Sequence, residues 1–123
     1  MKIAVTIWED RISPVFDASR RLLIVDIQDT QIGGRAFFVF DPEQPSDLAN
    51  ALINLDVKVL ICGAISQLPA MIINAAGITL IPFITGAVDR VLETIAKGDS
   101  LEPAFVMPGC HGCLPADGKS ALP

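Results

Sequence analysis

Between Lys58 and Asp89 the chain runs for thirty residues, Val59–Val88, without a charged side chain. That length could cross a bilayer or supply the interior of a sheet covered on both faces. The punctuation separates the two. Gly63, Gly77, Gly86, Pro69 and Pro82, with Ser66, Gln67 and Asn74 between them, fall at the intervals of a strand–helix–strand unit rather than of one apolar helix. The segment therefore predicts buried parallel strands and no membrane span. Hydrophobic residues make up 51% of the 123 and charged residues only 19%, which is enough apolar material for one core and excludes a chain disordered throughout. So little charge also predicts a subunit interface, in the simplest case a homodimer.

The remaining elements follow from periodicity and breakers. Lys2–Trp8 reads as a strand, Glu9–Ala18 as a loop, and Leu22–Ile27 and Arg35–Phe40 as a hairpin whose turn spans Asp29–Gly34. Ser46 is the expected N-cap of a helix that buries Leu48, Ala51, Leu52 and Leu55. Val57–Cys62 is a buried strand and residues 67–76 a helix ended by Gly77. Thr79–Ile84 is a strand, and residues 87–97 form an amphipathic helix ended by Gly98. The order β-β-β-α-β-α-β-α predicts an α/β fold with a five-stranded mixed sheet and right-handed crossovers in its second half. Residues 1–98 form the expected domain, and residues 99–123 a Pro/Gly-rich tail.

A formal charge of −5 and scattered basic residues lack the stripe that neutralises phosphates, which argues against nucleic-acid binding. Met1–Val5 runs straight into strand pattern without the apolar region of a signal peptide. The expected location is cytoplasmic, where cysteines stay reduced.

In open α/β sheets, ligands bind beyond the carboxyl ends of the parallel strands. Three loops qualify: Glu9–Ala18 with Arg11, Cys62–Ser66 with Gly63 and Ala64, and Thr85–Gly86. The last two lead into helix N-termini, whose N–H groups favour an anion. Gly63 and Gly86 either let a ligand approach the backbone or simply make tight turns. Cys62, at the end of a buried strand, is read first as a small core residue and second as a crevice residue.

Cys110, His111 and Cys113 form the most specific chemical feature, Cys-His-Gly-Cys. Two thiolates at this spacing suit one soft metal, with imidazole as a further ligand type, although a closed site needs about four ligands. A reversible disulfide used for redox sensing or partner binding, and a tail without specific chemistry, are the competing readings. Hydrolytic catalysis lacks a Ser/His/Asp set, and the first strand lacks the carboxylates of a two-metal nuclease.

Met1–Val5, Ile12–Ala18, Ile61–Ser66, Gly77-Ile78, Ile81-Pro82, Gly86 and Gly98, taken in order, resemble the dinitrogenase iron–molybdenum cofactor biosynthesis family, which includes the carrier NifX and the C-terminal domain of NifB. The resemblance implies a ribonuclease-H-like three-layer α/β/α fold without nuclease activity. It also implies a non-enzymatic protein that binds or carries an anionic metal–sulfur cluster or precursor, of iron–sulfur or iron–molybdenum type, and meets a cluster-assembly or acceptor protein. The family's first loop often reads Ser-Pro-His-Phe-Gly, whereas here Val15 stands for the His and Asp17 for the Gly. The expected cluster-binding residues are Arg11, Cys62, Gly63, Ala64, Ser66, Thr85 and Gly86. Cys110, His111 and Cys113 are the expected metal ligands.

Overall fold

The structure is a computed structural model that describes residues 1–101 and 104–107. The elements, in order, are β1 (Lys2–Trp8), β2 (Arg11–Ile12), β3 (Arg21–Gln28), β4 (Gln31–Val39), α1 (Pro45–Asn54), β5 (Val57–Ile61), α2 (Gln67–Ala75), β6 (Thr79–Ile81) and α3 (Val88–Ala96). A short 3-10 turn, Phe16–Ala18, lies between β2 and β3.

The sheet has six strands rather than the expected five. Its path is β4-β3-β1-β5-β6, and β2 pairs with the end of β1. The additional strand lies inside the segment read as loop. A turn with Glu9 at φ 56° reverses the chain, so that Arg11 and Ile12 pair with Trp8 and Ile7. Two residues are too short for a period to show. The β3 and β4 pairings are antiparallel, and those of β1 with β5 and β5 with β6 are parallel.

Alternation along β1 divides the core. Ile3, Val5 and Ile7 pack with Val88, Val91, Leu92 and Ile95 of α3. Ala4 faces Leu48 and Leu52 of α1 and Ile73 of α2 on the opposite face. Helices therefore cover both faces of the sheet, each buried aliphatic side chain contributing roughly 1.5–3 kcal/mol. Gly77 and Gly98 end α2 and α3 in left-handed conformation, as expected. Among the described residues no helix is long and apolar enough to cross a membrane.

Other details depart from the sequence reading. The hairpin turn is Asp29-Thr30 alone, with φ 51° and 66°. Gly33 and Gly34 lie within β4, where the pairing shifts between Val25 and Ile27 and the two glycines bulge opposite Asp26. A Cβ on Gly33 would stand 2.8 Å from the Asp26 carbonyl oxygen, which explains a glycine there. Helix α1 starts at Pro45 with Gln44 as N-cap, not Ser46; proline's fixed φ and missing N–H suit the first helical position. Ala49, not Ala51, is buried in α1. Strand β6 stops at Ile81 because Pro82 cannot continue the ladder.

Candidate functional site

The chain leaves β1 toward β2 and β3, and leaves its parallel neighbour β5 in the other direction, toward α2 and β6. The switch point of the sheet therefore lies at the carboxyl ends of β1 and β5, where α/β folds place ligands. Here the chain's own backbone crosses that point. The Ser13 N–H donates to Thr6 O (2.9 Å), the Ala64 N–H to Pro14 O (2.9 Å) and the Phe16 N–H to Ala64 O (2.7 Å). The Ala64 N–H is thus spent within the fold and does not stand open to an anion.

Gly63 explains how the two loops come so close. A Cβ there would collide with the carbonyl oxygens of Ser13 and Pro14, so this glycine admits the neighbouring loop. Gly86 serves a similar purpose. Its φ is 127°, and a Cβ would stand 2.9 Å from Cδ1 of Phe105.

The third loop is tied in the same manner. The Phe83 N–H donates to Gly63 O (2.9 Å) and the Ile84 N–H to Cys62 O (3.0 Å). Phe83 has φ 63°, an unfavourable conformation for a bulky residue. Bonds on both of its backbone groups hold it there, the second from the Met107 N–H to Phe83 O (2.8 Å). The Thr85 N–H donates to Phe105 O (2.7 Å), the Ile12 N–H to Gly86 O (3.0 Å), and the Val88 N–H at the start of α3 to Asp10 O (2.9 Å). Arg11, exposed, is brought opposite Ala87.

Helix α2 receives its anion from within. Ser66, its N-cap, makes no capping bond of its own. Its hydroxyl donates to Asp17 Oδ1 (2.6 Å) and its N–H to Asp17 Oδ2 (3.0 Å). The carboxylate thereby lies at the positive end of the helix dipole. Below it, Ser13 and Ser19 are buried; the Ser19 hydroxyl lies 2.6 Å from both Ser13 Oγ and Val15 O and fixes the 3-10 turn.

Cys62 is fully buried among the side chains beneath α1 and α2. Burial first, and the nearby Asp17 charge second, push its thiol well above the usual range. Its complete burial among apolar side chains matches the small-core-residue reading. Among the described residues no group of three or more His, Cys, Asp or Glu is gathered closely enough to hold a metal ion. Cys110, His111 and Cys113 lie outside the described residues.

The structure thus brings Gly63 and Ala64 to the Ser13–Phe16 segment, Ser66 to Asp17, and Arg11, Thr85 and Gly86 to one loop cluster. Phe83 and Phe105 complete this cluster with no signal in the sequence, and Asp17, which stands out there only as a departure from the family's first loop, enters it as the partner of Ser66. Asp17 is 49 residues from its partner Ser66, so only knowledge that β1 and β5 are neighbours would have joined the two.

A family model described as dinitrogenase iron–molybdenum cofactor matches residues 1–98. The chain belongs to this family. None of the curated proteins matches it significantly. Among solved structures, PH0822 aligns with a TM-score of 0.71 at 22% identity, over 80% of this chain and 93% of that one. A Methanocaldococcus jannaschii protein provisionally described as a dinitrogenase aligns with a TM-score of 0.66 at 22% identity, over 80% and 90%. A Thermotoga protein provisionally described as NifB aligns with a TM-score of 0.62 at 19% identity, over 88% and 98%. At such identities the three share the fold. The match of residues 1–98 carries the family assignment.

Proposed function

We propose that this family member is a non-enzymatic, cytoplasmic protein that binds or carries an anionic metal–sulfur cluster or its precursor, of the iron–molybdenum or iron–sulfur type. Helices on both faces of the mixed sheet support reading the fold as ribonuclease-H-like. A cluster-assembly or acceptor protein is the corresponding partner.

One observation carries the location of the site. The last described segment, 104–107, is stitched to the β6–α3 loop by the Thr85–Phe105 and Met107–Phe83 bonds, so the chain departs toward its Cys-His-Gly-Cys sequence from the switch-point end of the sheet. Cys110 follows Met107 by three residues, a span of at most about 11 Å. In this reading Cys110 and Cys113 supply thiolates, with His111 beside them, above a platform formed by Val15, Ala64, Ser66, Thr85 and Gly86. Arg11 adds positive charge at its margin. The platform positions and shields the cluster and contributes no soft ligand, since Cys62 is turned into the core.

Anaerobic purification followed by a visible spectrum and assay of iron, molybdenum, copper, zinc and sulfide tests this. Sulfide-to-metal absorption with stoichiometric metal, lost in Cys110→Ala/Cys113→Ala, is the expected result. A protein that stays empty when offered cluster or precursor overturns the reading. Loading unchanged in the double variant overturns the ligand assignment alone.

A further inference from the structure

Strand β4 forms one edge of the sheet, and its Arg35–Val39 stretch is exposed throughout. Phe37 is 60% exposed, Phe38 39% and Val39 83%. Soluble proteins protect long edges with Pro, Lys, bulges or short strands. On this strand the Gly33-Gly34 bulge and the charged Arg35 both lie before Phe37 and leave the Phe37–Val39 end without such a device. The opposite edge needs none, since β6 has three residues.

The backbone direction is known. The Phe40 N–H donates to Arg20 O on the β3 side (2.8 Å). Because hydrogen-bonding direction alternates along a strand, the N–H and C=O groups of Arg35, Phe37 and Val39 point to the open edge. Beside this edge, β4 and α1 enclose a groove of about 350 Å³ with Leu22, Ile24, Leu48 and Leu52 on its walls. Ala51, exposed rather than packed, also opens onto it.

We propose that this edge pairs with the same edge of a second copy, antiparallel about a twofold axis at Phe38. Charge complementarity selects the partner and the register. The segment Arg35-Ala36-Phe37-Phe38-Val39-Phe40-Asp41 is basic at one end, acidic at the other and apolar between; the Arg35 guanidinium holds Asp89 of its own chain through Nη1 at 2.8 Å but stays partly exposed, with further N–H donors for a second carboxylate. Reversed against itself, it sets Arg35 opposite Asp41 of the second copy, and Asp41 opposite that copy's Arg35. Phe37 meets Val39 of the second copy, and both point their backbone groups outward, so each such pair exchanges both N–H···O bonds. Phe38 meets its own equivalent at a non-hydrogen-bonded position, where side chains approach most closely, beside the groove. Registers centred on Ala36 or Phe37 leave Arg35 opposite an apolar residue. The two sheets become one continuous sheet, and the Phe37 and Val39 side chains leave water.

Sedimentation of the full chain, with reductant and chelator and over a concentration series reaching several hundred micromolar, tests the proposal. The expected result is a reversible dimer. Val39→Lys, at an exposed position where folding is undisturbed, raises its dissociation constant at least tenfold. Arg35→Asp and Asp41→Arg each weaken the dimer, and together they restore it. In a Cys110→Ser/Cys113→Ser background, mild oxidation of Phe38→Cys yields a cross-linked dimer and oxidation of Phe37→Cys does not. A monomer at every concentration, or a dimer indifferent to Val39→Lys, overturns the proposal. A dimer in which Phe38→Cys fails to cross-link overturns the register.

Discussion

Asp17 takes both polar hydrogens of Ser66, the hydroxyl on Oδ1 at 2.6 Å and the backbone N–H on Oδ2 at 3.0 Å. The loop after β2 thereby caps a helix that begins on the far side of the switch point. In a family whose first loop often carries Gly here, this chain brings its own anion to the mouth of the sheet.

Replacing Asp17 by Ala should cost about 1 kcal/mol, the usual scale for an exposed capping interaction. It also removes a negative charge from the helix N-terminus, so inorganic sulfide or molybdate should bind the variant more tightly than the parent. Urea unfolding and anion titration check the two halves separately. Equal stability of the two proteins would show the Asp17–Ser66 bonds to be energetically idle.

Gly63→Ala should lower stability by about 3 kcal/mol, at the upper end of overpacking costs. The added Cβ meets main-chain carbonyl oxygens of Ser13 and Pro14, which cannot swing aside as a flexible side chain can. Denaturant unfolding measures this. A loss below about 1 kcal/mol would mean that the Ser13–Phe16 segment yields easily.

Cys62 sets a pH dependence whose sign is determined. Its folded-state thiol titrates above the ordinary range because of burial, whereas in the unfolded chain it ionises near pH 8.5. The native state therefore retains a proton that the unfolded state loses, and this contribution to stability is complete below about pH 8.5 and declines above it. The decline is at most about 1.4 kcal/mol per pH unit. Cys62→Ala, itself costing about 1–2 kcal/mol near neutrality, should lack this component. The stability gap between the two proteins, followed from pH 7 to pH 10, should narrow. A constant gap would contradict the burial argument.

Thr6 is buried in β1, and its hydroxyl has no hydrogen-bond partner among the described residues. Thr6→Val keeps the shape and removes the unpaired group, so it should raise stability by about 1 kcal/mol. A lower melting temperature would reveal a partner for Thr6, such as a buried water.

Legibility of the fold followed the range of the forces involved. Helix α3 was plain because Val88, Val91, Leu92 and Ile95 recur at helical spacing, a pattern carried by neighbouring turns. The Gly33-Gly34 pair misled because adjacent glycines signal both turn and bulge. Only the register against Asp26 on the partner strand decides between them. Pro45 was the better mark of the α1 start than Ser46, since its ring restricts the backbone directly. At the site, Gly63 reads from the sequence as a position of close approach, and what approaches it is the Ser13-Pro14 backbone, a tertiary fact with no local signature. Ser66 likewise reads as a site residue without pointing to Asp17, which reaches it only because β1 and β5 are parallel neighbours.

The loops at the switch point are tied to one another mainly through main-chain N–H and C=O groups. Such ties do not depend on side-chain identity, except at Gly63 and Gly86, where a Cβ has no room. Val15, Ile65 and Thr85 can therefore be exchanged while the frame beneath them persists. Evolution, or a protein engineer, can re-line this platform with side chains of different charge or size one substitution at a time, without renegotiating the fold.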